Sequence, residues 1–298
     1  MTMSSPDHAA PAPAPASATV PALEAAGASQ AGRQRSRNED AYLIATLQRS
    51  MLVHDASPDA ARGWFAGEQA GTLLVVADGM GGQGGGDIAS QVAVRTIAGY
   101  LLNVMPWATT HRDGDEPRSQ TTSIAGVRQE LGSALVFGDY TVKSTGARVG
   151  NARMGTTLTA ALLQWPTLYV AHVGDSRCCL FRSGVLMRLT TDHTVANRAA
   201  QEGSPLGPQS QWHHVLWNAL GGDENGPTPE LSKTQVELGD LILLCTDGLT
   251  KHLSDEDIAG VLGRPQSNAE RCAALVARAY DRGGTDDITV VLAGASPN

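Results

Sequence analysis

The sequence predicts an α+β domain. Three observations carry that reading: two long helical patterns follow one another, several short strand-like runs come after them, and no regular strand–helix–strand alternation joins the two halves. In residues 87–104, Ile88, Val92, Ile97 and Leu101 recur at helical spacing. After a polar stretch at 111–121, Ile124, Val127, Leu131, Leu135 and Val136 repeat the pattern. Residues 156–163, 168–173, 176–181 and 185–189 are short apolar runs punctuated by Pro166, Gly174 and Gly184, the texture of an antiparallel meander. No internal repeat or second linker divides the chain, so one domain is expected.

The remaining elements follow in order. Residues 1–27 are rich in Pro and Ala and read as an extended, disordered tail, with the domain spanning 28–295. AYLIA at 41–45 is strand-like, 48–68 looks like a surface insertion, and 73–77 is a second strand. A short helix is expected at 192–202, followed by a Gly- and Pro-rich stretch at 203–229. A strand, a turn and a strand are expected at 236–238, 239–240 and 241–245. Ser254 and Ser267 are suited to cap helices at 255–262 and 268–281, and a last strand closes the chain at 288–293.

Composition narrows the function. The 298 residues are 42% hydrophobic but only 4% aromatic, so the core rests on Ala, Val, Leu and Ile. A formal charge of −8 gives no basic excess of the kind a nucleic-acid binder shows. Cys178, Cys179, Cys245 and Cys272 have no CxxC spacing and read as small buried apolar residues. No apolar run is long enough to span a bilayer, and the first residues lack the charged start and apolar centre of a signal peptide. A cytoplasmic protein is expected.

The chemical signal is where the carboxylates stand. LLVVADGMGGQGGGD at 73–87 is an apolar run that stops at Asp78 and enters a segment nearly stripped of side chains. Asp175 follows LYVAHVG, Asp247 follows LILLCT, Asp286 precedes ITVVL, and Glu39 and Asp40 precede AYLIA. Any one of these is a common turn or cap residue. Gathered on one rim, they would repel one another unless cations were present, and hard oxygen donors suit Mg²⁺ or Mn²⁺. GMGGQG at 79–84 is also a literal GxGxxG, but no acidic residue lies about twenty positions on to take a ribose hydroxyl, and no βαβ pattern follows.

The words GASQAGRQRSRNED, VADGMGG, MGTT, HVGDSR, CTDG and GGTDDITVV resemble, in order and spacing, those of the metal-dependent protein phosphatases (PPM, or type 2C). The likeness runs from about residue 29 to 294, and Met80 after DG is similar to the bacterial branch. It implies a four-layer α-β-β-α architecture, a central antiparallel β-sandwich flanked by helices on both faces. It also implies a cleft with two tightly bound Mn²⁺ or Mg²⁺ ions and a third, weaker one. By resemblance Asp78 bridges the two ions, Gly79 lends its carbonyl, and Asp247 and Asp286 complete one ion. Glu39 and Asp40 serve the other, Asp175 helps to hold the third, and Arg35 grips the substrate phosphate. The implied activity is hydrolysis of phosphoserine and phosphothreonine by a hydroxide shared between the ions. Phosphoprotein substrates and a bacterial Ser/Thr kinase with its targets are the implied partners, with no nucleic acid, no membrane and a monomeric enzyme.

Two departures bear on the site. Gln30 stands where relatives often have Asp, and Asp287 replaces a usual Asn and is expected to face solvent. Met80 cannot give a proton to a leaving alkoxide, so a metal-bound water or a histidine from elsewhere has to serve, with His172, His193, His213 and His214 as the candidate histidines. The alternative to catalysis is a catalytically silent metal-binding domain that recognises phosphoproteins.

Overall fold

Eleven strands pair, all antiparallel, into two sheets, as described by a computed structural model for residues 21–53, 63–81, 85–104, 124–207, 210–222 and 225–296. The first sheet has the order β1 (Ala22–Gln30), β11 (Ile288–Ser296), β10 (Leu241–Cys245), β7 (Arg177–Arg182) and β8 (Val185–Arg188). The second runs β2 (Asp40–Val53), β3 (Gly63–Met80), β5 (Leu158–Gln164), β6 (Thr167–Val173) and β9 (Glu230–Gln235). The short β4 (Gly155–Thr156) pairs with the end of β3.

Alternation along the strands builds three apolar layers. Leu74, Val76, Ala161 and Val170 of the second sheet share a buried cluster with Cys178, Leu180, Leu244 and Val291 of the first. Leu73, Val75 and Ala77 point the other way, into a cluster with α1 (Gly86–Val104) and α2 (Ile124–Val149). Both faces of LLVVA are therefore covered, which is why it reads as a continuous apolar run rather than an alternating one. On the outer face of the first sheet, Leu243, Cys245, Val290 and Leu292 pack with α5 (Asp255–Leu262) and α6 (Asn268–Asp281). The result is the predicted helix–sheet–sheet–helix sandwich. All four cysteines are buried and free.

Local chemistry sets the helix ends. Ser254 and Ser267 each form a reciprocal capping box, with Asp257 and Glu270, and α5 and α6 start where the sequence predicts. Such caps contribute about 1 kcal/mol each.

Several boundaries differ from expectation. β1 begins at Ala22 and pairs with β11 from Ser296 inward, so the sandwich reaches back into the stretch assigned to the tail; residues 1–20 lie outside the described ones. The small-residue strand ALEAAGASQ lacks the β-branched and aromatic residues that signal a strand. The segment at 48–68 is no separate insertion: its ends extend the β2–β3 hairpin. Register shifts at Leu47/Gln48 and Gln48/Ser50 break the alternation that would have shown this. The expected meander is two hairpins, β5–β6 and β7–β8, in different sheets. The strand placed at 236–238 lies earlier, as β9, and the polar stretch at 111–121 is outside the described residues.

Candidate active site

The chain crosses between sheets at Gly174, whose φ of 112° suits glycine, and this crossing puts Asp175 at the same end of the sandwich as Asp78. Arg35, Glu39, Asp78, Gly79, Asp175, Asp247 and Asp286 line one open cavity of about 750 Å³. Met80, Thr157, His214, Trp217 and Asn218 complete much of its wall. Of the predicted site residues only Asp40 is not on that surface. It lies behind, as the cross-strand partner of Asp78.

The backbone at Asp78 is clamped from several sides. Its N–H donates to Thr157 Oγ1 (2.9 Å), and its carbonyl accepts from Thr156 Oγ1 and Thr157 N–H (2.9 Å each). Thr157 Oγ1 also contacts Ser176 Oγ at 2.7 Å, so the MGTT and HVGDSR segments hold one another and the strand end. At Gly79 a Cβ would lie 2.1 Å from Gly86 O and 2.6 Å from Glu39 O, so only glycine fits there. Ser90 Oγ and Gly79 N–H both donate to Glu39 O, at 2.6 and 3.1 Å, which fixes the loop carrying Glu39 against α1.

Asp287 corrects its prediction. It is 3% exposed, and its two oxygens accept from Gly32 N–H (2.9 Å) and Glu39 N–H (2.8 Å). A second carboxylate here ties the Arg35–Glu39 loop to the start of β11 instead of facing solvent. Arg35 Nε donates to Asp286 Oδ1 at 3.0 Å, its second guanidinium nitrogen reaches the same oxygen, and its third lies 3.5 Å from Glu39 Oε2. Lys251, unremarked in the sequence, follows the short α4 (Asp247–Thr250) and sets Nζ 2.6 Å from Asp247 Oδ2 and 2.7 Å from Asp286 Oδ2. Its spacing of four from Asp247 on a helical turn was the signal available.

The electrostatics are those of an acid cluster short of positive charge. Burial, then the charges of Asp40, Asp247, Asp175 and Asp286, pushes the Asp78 carboxyl well above its ordinary range. Burial raises Asp40 to about 7 against the hydrogen bonds of Thr289 and Thr246, with Asp287 and Asp247 adding to the rise. Asp175 also rises to about 7, through burial and then Asp247 and Asp192. Asp286 is the exception: burial pushes it up, but Lys251 and Arg35 outweigh burial and hold it below the carboxylate range.

The donor set fits hard divalent cations. Asp40 Oδ1 and Asp247 Oδ1 are buried carboxylate oxygens with no hydrogen-bond partner, a costly arrangement that a cation relieves. Among the described residues, the one group of three potential metal ligands with all its ligand atoms within 4.8 Å of one another is His172, His193 and Glu230, elsewhere in the fold. The acidic rim is thus wider than the shell of one ion. Of the four candidate histidines, His214 lines the large cavity, and His213 and His214 line a neighbouring one of about 420 Å³. His172 and His193 are buried, and neither lines it.

A family model described as Protein phosphatase 2C matches residues 51–282. The serine/threonine protein phosphatase PstP of Mycobacterium tuberculosis is 34% identical over 225 residues, 74% of this chain and 40% of that protein. The chain therefore spans less than half the length of that relative. The serine/threonine phosphatase stp of Listeria monocytogenes is 30% identical over 233 residues, 77% of this chain and 87% of its own length. The solved catalytic domain of PstP in complex with two manganese ions superposes with a TM-score of 0.68 at 30% identity, covering 92% of this chain and 98% of that one.

Proposed function

The chain belongs to the protein phosphatase 2C family, and from that premise we propose that residues 22–296 hydrolyse phosphoserine and phosphothreonine esters on proteins with bound Mn²⁺ or Mg²⁺. The observation that carries the proposal is the gathering of Arg35, Glu39, Asp78, Gly79, Asp175, Asp247 and Asp286 around one cavity, with unpartnered carboxylate oxygens on Asp40 and Asp247. Asp78, Asp247, Asp286, Glu39 and the Gly79 carbonyl would hold two ions, with Asp40 behind them, and Asp175 would help to hold a third. When bound, such ions supply Lewis acidity that lowers the pKa of water and offsets charge on phosphoryl oxygens.

The chain's own residues do the rest. Arg35 is held by Asp286 and Glu39 at the mouth of the cavity, so its planar guanidinium is oriented before a phosphate arrives. Thr156 and Thr157 fix the Asp78 backbone, which holds its carboxylate in place at the strand end. Met80 lines the cavity but has no proton to give, whereas the His214 imidazole lines it too and is available to protonate the leaving alkoxide. The four buried thiols lie in the apolar clusters, so no cysteine nucleophile is assigned.

The proposed substrates are phosphoproteins, including those of a bacterial Ser/Thr kinase, acted on by a monomer in the cytoplasm. No helix among the described residues is long and apolar enough to cross a membrane. The gathering of these carboxylates with Arg35 at one cavity favours a catalyst over a silent recognition domain. The test is turnover of p-nitrophenyl phosphate and a phosphothreonine peptide with added Mn²⁺. Asp78→Asn is expected to lose roughly a hundredfold or more in rate while keeping its fold by circular dichroism. Full metal-dependent turnover by that variant would remove Asp78 from the site.

A further inference from the structure

Besides Arg35, the acidic rim contains a second cation, Lys251, seated on two of its carboxylates. Lys251 Nζ lies 2.6 Å from Asp247 Oδ2 and 2.7 Å from Asp286 Oδ2, so one ammonium bridges two of the carboxylates assigned to the ions. The placement is built into the backbone. Lys251 N–H donates to Asp247 O at 2.8 Å, closing a single helical turn, and the side chain folds back over the residue four positions before it. Its side chain is 27% exposed, so it is held in the rim rather than projecting from it.

We propose that Lys251 is a built-in competitor for the divalent ion at Asp247 and Asp286, and that it sets the metal affinity of that part of the site. The inference rests on the reading of the rim as a divalent-ion site. Its physical basis is that an ammonium and a divalent ion drawn to the same two carboxylates repel one another. An oxygen directly ligating a divalent ion is not at the same time within 2.7 Å of an ammonium without strong repulsion between the two cations. Asp286 is the clearest case, because Arg35 holds Oδ1 and Lys251 holds Oδ2. Its charge is matched from within the chain, whereas Asp40 Oδ1 and Asp247 Oδ1 have no partner. A divalent ion therefore meets least resistance at the unpartnered oxygens and must displace Lys251 to gain Asp247 Oδ2 and Asp286 Oδ2. The displaced ammonium has room: the neighbouring cavity of about 420 Å³ is lined by Lys251 and also by Asp192.

The test uses the full chain and Mn²⁺ alone as ligand, read by isothermal titration and by thermal unfolding. Lys251→Met keeps the length of the stem and removes the charge. It is expected to bind Mn²⁺ about tenfold more tightly at the weakened position, and Lys251→Arg is expected to stay near wild type. In chelator, Lys251→Met is expected to unfold at a lower temperature than wild type, because Asp247 and Asp286 lose their counter-charge. Saturating Mn²⁺ is expected to erase that deficit. Unchanged or weaker Mn²⁺ affinity in Lys251→Met would overturn the proposal, as would a stability deficit of equal size with and without Mn²⁺. Absence of Mn²⁺ binding by the wild-type protein would instead overturn the metal-site reading itself.

Discussion

Two clusters in this molecule are made of residue types that bind metals, and they are built on opposite rules. In the acidic rim, carboxylate oxygens outnumber their donors, Asp40 Oδ1 and Asp247 Oδ1 are buried without partners, and Asp78 is crowded by four other carboxylates. In the histidine knot, formed by His172, His193 and Glu230, each ring nitrogen and carboxylate oxygen already has a partner. Thr159 Oγ1 lies 2.8 Å from His172 Nδ1, and His172 Nε2 donates to Thr191 O at 3.0 Å. Gly174 N–H and Asn218 Nδ2 donate to His193 Nδ1 at 3.1 and 3.0 Å, leaving its proton on Nε2, 3.4 Å from Glu230 Oε2. Thr191 N–H and Oγ1 donate to Glu230 at 3.0 and 3.3 Å. Proximity of ligand atoms is thus the weaker guide to a cation site. The knot meets it with satisfied groups, while the rim is wider and has orphans. The knot's work is structural: Asn218 and Trp217 of the cavity wall hang from His193, which Gly174 also contacts beside Asp175.

The contrast is sharpest in pH. Asp40 is raised to about 7 in the fold, so its contribution to stability is present below the unfolded value near 3.8 and is lost as pH rises through about 7. In chelator, Asp40→Asn is therefore expected to gain stability over wild type as pH rises from 4 to 8. The gain is on the order of 2–4 kcal/mol by urea unfolding, with little difference at pH 4. Saturating Mn²⁺ is expected to remove the trend. A wild-type-to-variant difference that does not change with pH would show that Asp40 is already compensated within the protein, and the rim would then resemble the knot.

How legible each cluster was follows from how it is assembled. Asp78, Asp175, Asp247 and Asp286 each sit next to an apolar strand, so a local pattern flags them, and most of the cavity could be named from the chain. Asp287 could not be, since its partners Gly32 and Glu39 lie about 250 positions away and nothing local says which way it points. The knot draws on β6, on the segment before α3 (Val195–Gln201) and on β9, whose only common property is position in the folded sandwich. The same limit hid the sheet change at Gly174, because a hairpin and a crossover leave the same signature of a glycine between two short strands.

The knot has the opposite pH response. Burial, then the neighbouring His193, lowers His172 to about 4. A depressed histidine contributes stability that is present above the unfolded value near 6.5 and is lost as pH falls through about 4. The surrounding groups are His193, whose ring centroid lies 4.8 Å away, together with Glu230 and Asp192. His172→Gln, which cannot titrate, is expected to lose less stability than wild type between pH 6.5 and 4. The difference is on the order of 3 kcal/mol or less. Parallel pH curves for the two proteins would place the acid sensitivity elsewhere.

The smallest effect is the one that separates the clusters most directly. If the knot is a hydrogen-bonded brace, Glu230→Gln replaces one acceptor pair with an amide and disturbs the contacts to Thr191 and His193. The expected loss is about 1–2 kcal/mol in unfolding free energy, the usual scale for a partly buried, charge-assisted hydrogen bond. Mn²⁺ and Zn²⁺ stoichiometry and affinity by titration are expected to remain those of wild type, since a metal at the knot would have to break at least the His193–Glu230 contact and the Thr191 bonds before gaining its own. Loss of one equivalent of bound metal in Glu230→Gln would reverse the assignment. Hydrogen-bond satisfaction would then have failed as the criterion that tells a brace from a ligand set in this fold.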